Sequence, residues 1–191
     1  MRNIILTMAA PVLISATLSA QGVFSNKTQS ILEKVIQDYP NHFYNIKGEL
    51  IGQALQTARY KSILQLPGSS SCTITLYTAS PNEGSGWSCT VLEASDFAQA
   101  KKKFAEIYGQ ISNSIITTGG GGQKTFILSG QYEEPVEEKK GSHVVFSLLP
   151  GMGEMKKLKV ELSLQEEANG WKISLSVQDR DPKEESQFAV N

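Results

Sequence analysis

Ser62-Ile63-Leu64-Gln65-Leu66-Pro67-Gly68 and Val145-Phe146-Ser147-Leu148-Leu149-Pro150-Gly151 end on one shared triplet, Leu-Pro-Gly. A Gly-Trp pair follows each: Gly86-Trp87-Ser88-Cys89-Thr90-Val91 after the first, Gly170-Trp171-Lys172-Ile173-Ser174-Leu175 after the second. Proline and tryptophan stand 20 residues apart in one copy and 21 in the other. Self-similarity at a fixed spacing is the mark of a duplicated unit, and it decides the architecture before any single element does.

Working outward, Cys72-Thr73-Ile74-Thr75-Leu76-Tyr77 alternates, with Cys72, Ile74 and Leu76 on one side and Thr73, Thr75 and Tyr77 on the other. Trp87, Cys89 and Val91 share a side on the returning run, as do Leu158, Val160 and Leu162, and Ile173 and Leu175. Period-two alternation is the pattern of a strand buried on one face. Weaker strands are expected over residues 44–53, 60–66, 124–130 and 143–149. A helix is expected from near Thr28 to just before Pro40, because the residue preceding a proline is pushed out of the α region. A second runs from Phe97 to Ile111, capped by Ser95 or Asp96, with Phe97, Ala100, Phe104, Ile107, Tyr108 and Ile111 on its apolar stripe. Thr117-Thr118 and the glycines 119–122 break the pattern, and residues 133–140 form a charged, exposed loop. The fold class expected is therefore α+β: a two-layer, pseudo-twofold tandem repeat of a helix followed by four antiparallel strands. About eight strands result, with the helices on one face.

One point stays open at this stage. A tight turn at Asn169-Gly170 sets Leu164 opposite Leu175 and keeps Leu158 far from Ile173. A literal copy of that register separates Cys72 from Cys89. A different register in the first hairpin sets the cysteines opposite each other, with Ile74 against Trp87.

Residues 1–20 read as a secretory signal peptide: one cation at Arg2, an apolar stretch, and small residues up to Ala20. Thr7, Pro11, Ser15, Thr17 and Ser19 make that stretch weak for a membrane span of roughly 20 apolar residues. No later stretch reads as a transmembrane segment. Cleavage leaves 171 of the 191 residues, enough for a real core. Residues 21–179 are expected to form one globular domain of two repeats, about 21–94 and 95–179, followed by a polar tail at 180–191. Export, periplasmic or secreted, puts the two cysteines in an oxidising compartment, which favours a Cys72–Cys89 disulfide over two buried thiols. With 18 cations against 19 acids the chain has no basic excess, which argues against nucleic acid as a partner.

Few residues invite chemistry. Gly119–Thr125 ends in Lys-Thr after glycines, but a phosphate loop needs a strand before it and a helix after it, and here the order is reversed. His42 and His143, the two histidines, have no clustered ligands around them in the sequence. No nucleophile elbow or Cys-His pairing is visible, and residues 133–138 lack the spacing of a calcium loop. Asn26-Lys27-Thr28 fits a glycosylation sequon, a short and common pattern. No catalytic residue, metal or cofactor is assigned. The candidate binding face is the polar side of the sheet: Thr75, Tyr77, Lys157, Lys159, Glu161 and Lys172.

In its order of elements, a tandem helix-plus-four-strand layout in an exported chain, the sequence resembles PepSY-type domains and secreted tandem-repeat inhibitors of β-lactamase. That resemblance carries an expectation of layout and none of activity. The leading expectation is an exported, soluble, non-catalytic binding protein whose partner is a protein or envelope component. One alternative is a carrier of a small apolar ligand held among Phe97, Phe104, Phe126, Phe146 and Leu162. Another is an enzyme built around converging carboxylates or His143.

Overall fold

Alternation in the sequence becomes a single antiparallel sheet joined to two helices. The computed structural model describes residues 26–77, 84–119 and 123–179. The expected signal peptide, part of the first hairpin loop, the last three glycines of the run 119–122 and the polar tail lie outside those residues. Helix α1 covers Lys27–Asp38 and stops two residues before Pro40. Asn26 caps it by accepting from the Thr28 amide, while its own Nδ2 donates to the Gln110 carbonyl. The asparagine of the sequon is thus spent on structure. Helix α2 covers Phe97–Ile111, with Asp96 accepting from the amides of Ala98 and Gln99. Of its expected stripe, Ala100, Phe104, Ile107 and Ile111 are buried, while Phe97 and Tyr108 are partly buried against the core.

The strands are β1 (Lys47–Ala54), β2 (Thr57–Ser62), β3 (Ser71–Tyr77), β4 (Ser85–Ala94), β5 (Ile115–Thr118), β6 (Lys124–Ser129), β7 (Gly141–Leu149), β8 (Leu158–Glu167) and β9 (Gly170–Asp179). They lie in the order β1-β2-β3-β4-β9-β8-β7-β6-β5. Among the described residues nine strands replace the eight expected. The extra one is β5, read from sequence as a break. Its four residues, Ile-Ile-Thr-Thr, are all β-branched and suit a strand, but they are too few to show a period between a helix and a glycine run.

Register resolves the open point. Cys72 lies opposite Cys89 and Ile74 opposite Trp87, and the two cysteines form a disulfide. In the second hairpin Glu167 pairs with Gly170 and Leu164 with Ile173. The expectation that Leu164 faces Leu175 is corrected, because the turn is made by Ala168-Asn169, one residue earlier than read. Gly170 is needed for another reason: its φ is +132°, and a Cβ there would run into the Ala94 carbonyl. Leu158 pairs with Asp179, far from Ile173, so the two hairpins differ in register. Trp87 and Trp171 are both buried. The Leu-Pro-Gly triplets are less alike: Leu66 is buried, whereas Leu149 is half exposed.

At mid-sheet β4 pairs with β9, and Thr90 stands opposite Ser174 before the register shifts towards Leu92. Strands and both helices share one core, from Leu32, Val35 and Ile36 on α1 to Val160, Leu175 and Val177 on the sheet. Helix α2 packs on β4, β8 and β9, and α1 packs on α2 and on the edge strand β5. This placement constrains the sheet. Gln37 of α1 touches β5, while Lys47, ten residues later, begins β1 at the other edge. The intervening segment contains two 3₁₀ turns, Tyr39–Asn41 and Tyr44–Ile46, and at about 2 Å per residue such a path covers roughly 20 Å. A flat sheet would separate those edges by about 38 Å at ~4.8 Å per strand. The sheet therefore coils around the helices, the direction its twist favours.

The same contact closes an edge. Both the amide and the carbonyl of Thr117 are engaged by α1: the amide donates to Glu33 Oε1, and Gln37 Nε2 donates to the carbonyl. Edge strands left bare are templates for association. E33A is expected to cost about 1 kcal/mol in denaturant unfolding and to speed hydrogen exchange at the Thr117 amide. Unchanged exchange there would mean that the carboxylate does not hold the edge. For the disulfide, C72A/C89A is expected to lose about 3 kcal/mol of unfolding free energy, the typical contribution of a short cross-linked loop, with little further loss on adding reductant.

Candidate functional site

Opposite the core, the sheet presents rows of short side chains. One row runs Lys61, Thr73, Ser88, Ser176, Glu161 and Val145 across β2, β3, β4, β9, β8 and β7. The next runs Arg59, Thr75, Gly86, Gln178, Lys159 and Ser147. On the other side lies Ser71, Thr90, Ser174, Ser163 and His143. On β3, β4 and β9 these rows hold hydroxyls, one glycine and one glutamine, and no charge. Longer charged side chains, Arg59 and Lys61 on β2 and Lys159 and Glu161 on β8, stand to either side. Beyond them the face turns apolar: Ile115, Ile127 and Leu149 form a row across β5, β6 and β7, each close to half exposed.

Of the residues singled out in sequence, Thr75, Lys159 and Glu161 fall in the two adjacent rows just described. Lys159 Nζ donates to Ser147 Oγ. Tyr77 lies at the end of β3 against Gly84, 44% exposed. Lys172 lies farther along β9, opposite Glu93 and Gln165, and pairs with Glu167 at 3.0 Å. Lys157 precedes β8, at the end of a 3₁₀ turn. The structure thus gathers three of the six and spreads the others around them. The five side chains of the apolar-carrier reading belong to the core: Phe104, Phe126, Phe146 and Leu162 are buried, and Phe97 packs at a tilt against Trp171, 4.7 Å between ring centroids.

Among the described residues three grooves stand out. The first, about 290 Å³, lies beside the β8–β9 turn among Glu93, Ser95, Glu167 and Lys172. The second, about 690 Å³, is lined by Glu133, Glu134, Lys139, Ser142 and His143. Lys101, 2.7 Å from Glu134, holds that carboxyl below its usual range, which leaves it ionised and poor as a proton donor. Burial, and then the Glu134 charge, push the neighbouring Tyr132 hydroxyl up. Among the described residues no group of three or more His, Cys, Asp or Glu is placed to hold a metal ion.

The third groove, about 260 Å³, was not foreseen. Its floor is a row on the core side of the sheet, Gln53–Ala58–Leu76–Ser85, where β1 to β4 run out beyond the cover above them. His42, Tyr44, Tyr60 and Tyr77 wall it. These tyrosines are 16 and 17 residues apart in sequence and sit on different elements. No periodicity in the sequence brings them together. Lys47 Nζ lies 4.1 Å from the Tyr44 ring centroid and 4.5 Å from that of Tyr60, so both rings already hold a cation at the rim.

No protein-family model, curated protein or solved structure matches the chain.

Asp179 accepts a hydrogen bond from the Tyr39 hydroxyl, yet burial raises its pKa above the ordinary carboxyl value. A raised carboxyl pKa means folding favours the neutral acid, so its stabilising effect is present below the unfolded pKa and is lost as pH rises through the folded one. D179N keeps an oxygen for Tyr39 and never ionises. Its melting temperature is expected to match wild type near pH 3 and to exceed it increasingly towards pH 7, measured as Tm against pH (about 4 being the unperturbed carboxyl pKa). A gap that instead widened towards acid would reverse the sign.

Proposed function

We propose that this is an exported, soluble, non-catalytic binding protein, made of two copies of a helix-plus-strands unit, that holds a protein or envelope component on the open face of its sheet. The observation that carries the binding reading is the character of that face. Three central strands expose Ser, Thr, Gly and Gln side chains, framed by charged residues on β2 and β8. Short side chains lose little rotamer freedom on contact, and hydroxyls donate or accept as a partner requires.

The duplication is supported by the pairing at mid-sheet. In the two Gly-Trp segments Thr90 and Ser174 occupy the same place, three residues after the tryptophan, and they lie directly opposite one another in an antiparallel pair. A residue facing its own counterpart is what a twofold axis through that pair would produce. The strand order reads outward from this pair as β4-β3-β2-β1 on one side and β9-β8-β7-β6 on the other. Against a strict copy stand the extra strand β5, the shifted hairpin register, and the unequal placing of the helices.

The test uses the full chain in its native compartment. A photo-crosslinking residue at Ser88 or Ser176 is expected to capture one discrete partner, and one at Leu55, on the fully exposed β1–β2 turn, is expected to capture none. K157E/K159E/K172E should reduce that capture by about tenfold or more, a loss of roughly 1.4 kcal/mol. Equal crosslinking from Ser88 and Leu55, or capture indifferent to the charge reversals, would remove the open face from consideration.

A further inference from the structure

We propose that the groove floored by Ala58, Leu76 and Ser85 is a binding site for a single saccharide ring, separate from the open face and independent of any partner there. Two observations of different kinds meet in it. The first is its pair of aromatic rings, Tyr44 and Tyr60, the former 52% exposed. The second is Ser85. That residue is 2% exposed, and its Oγ is the buried side-chain polar atom among the described residues that finds no hydrogen-bond partner. Buried hydroxyls in folded proteins are paired, and one that is not asks for an explanation, an unplaced ligand group among them. Here the unpaired hydroxyl belongs to a residue lining an open groove.

The chemistry of the lining selects the class. Among the described residues no carboxylate lines it, and the ammonium of Lys47 already lies on two of the tyrosine rings. A cationic ligand would meet the like charge of Lys47. A wholly apolar ligand would leave Ser85 Oγ unpaired and strip water from Gln53 and His42. A pyranose ring has a face of C–H groups to lay on a tyrosine and an equatorial girdle of hydroxyls. Those hydroxyls can accept from or donate to Ser85 Oγ, the Gln53 amide and the His42 imidazole. The volume, about 260 Å³, falls below the roughly 300–1,000 Å³ of sites for larger ligands, which fits one ring better than a long oligomer.

The experiment is saturation-transfer NMR on the full chain with glucose, galactose, mannose and N-acetylglucosamine as separate probes at millimolar concentration. Tetramethylammonium serves as the cationic comparison. Transfer to the ring protons of at least one sugar is expected, and none to tetramethylammonium. Y44A and S85A should each weaken that sugar about tenfold, and I115A, far across the sheet, should not. S85A carries a second readout. Because the hydroxyl has no partner in the free protein, its removal should leave Tm equal or higher while binding falls. Transfer to none of the four sugars, affinity unchanged in Y44A and S85A, or binding of the cation in their place would each overturn the proposal. A clear drop in Tm for S85A would show that Oγ is already satisfied and would overturn it too.

Discussion

The antiparallel pairing of β4 with β9 is the contact on which the rest of the molecule depends. Two strands, each ten residues long, meet along most of their length and turn two groups of strands into one sheet. Without that ladder each group would keep an unpaired edge at its most apolar strand, and would be a small sheet with little to bury. With it, Trp87, Cys89 and Val91 lie beside Ile173, Leu175 and Val177 as one continuous buried surface. Helix α2 sits over this seam, touching β4, β9 and β8. One helix thus covers both sides of the join.

Coiling follows from the second helix. Since α1 rests on β5 while its chain leads within a few residues into β1, the two edges cannot lie a full sheet-width apart. The coil leaves the opposite face without cover. It also decides the fate of the edges. At β5, Glu33 and Gln37 take up both backbone groups of Thr117. At β1 the pairing with β2 is irregular, with register shifts between Lys47 and Leu50 and between Leu50 and Gly52. Such irregularities discourage another strand from docking, so the two ends of the sheet are protected by different means.

How much of this was written in the sequence depends on the range over which each feature is encoded. Both helices could be read, because the Pro40 stop, the Asp96 cap and the 3.6-residue stripe of Ala100, Phe104 and Ile107 are all local signals. The alternating strands β3, β4, β8 and β9 could be read for the same reason. Register could not. Whether Cys72 faces Cys89 depends on the length and conformation of the turn, and in the second hairpin the turn fell on Ala168-Asn169, although Asn169-Gly170 is the stronger turn dipeptide. Nor could β5 be read, since four β-branched residues make a strand only when β6 and α1 are there to receive them. On the candidate face, the alternation of Thr73 and Thr75 was visible. The assembly of the rows, and the exclusion of Lys157 from them, needed the pairing. The aromatic groove lay furthest from view, because its tyrosines belong to three separate segments.

Ser85 shows how a site can sit within so regular a scaffold. It occupies a core-facing position on β4, two residues before Trp87, where the alternation calls for an apolar side chain. At Trp87 the polar atom is provided for: indole Nε1 donates to Ser62 Oγ, which in turn donates to the Leu64 carbonyl. One row further out the provision stops, and a buried hydroxyl is left without a partner at a cost of about 1–3 kcal/mol. An alanine or valine there would satisfy the strand pattern and avoid that cost. A local departure from packing logic that the rest of the core obeys is the kind of feature that function, rather than folding, accounts for. It stands where the cover above the sheet ends and the groove begins, so the position that weakens the core is also the one from which a bound molecule can be reached.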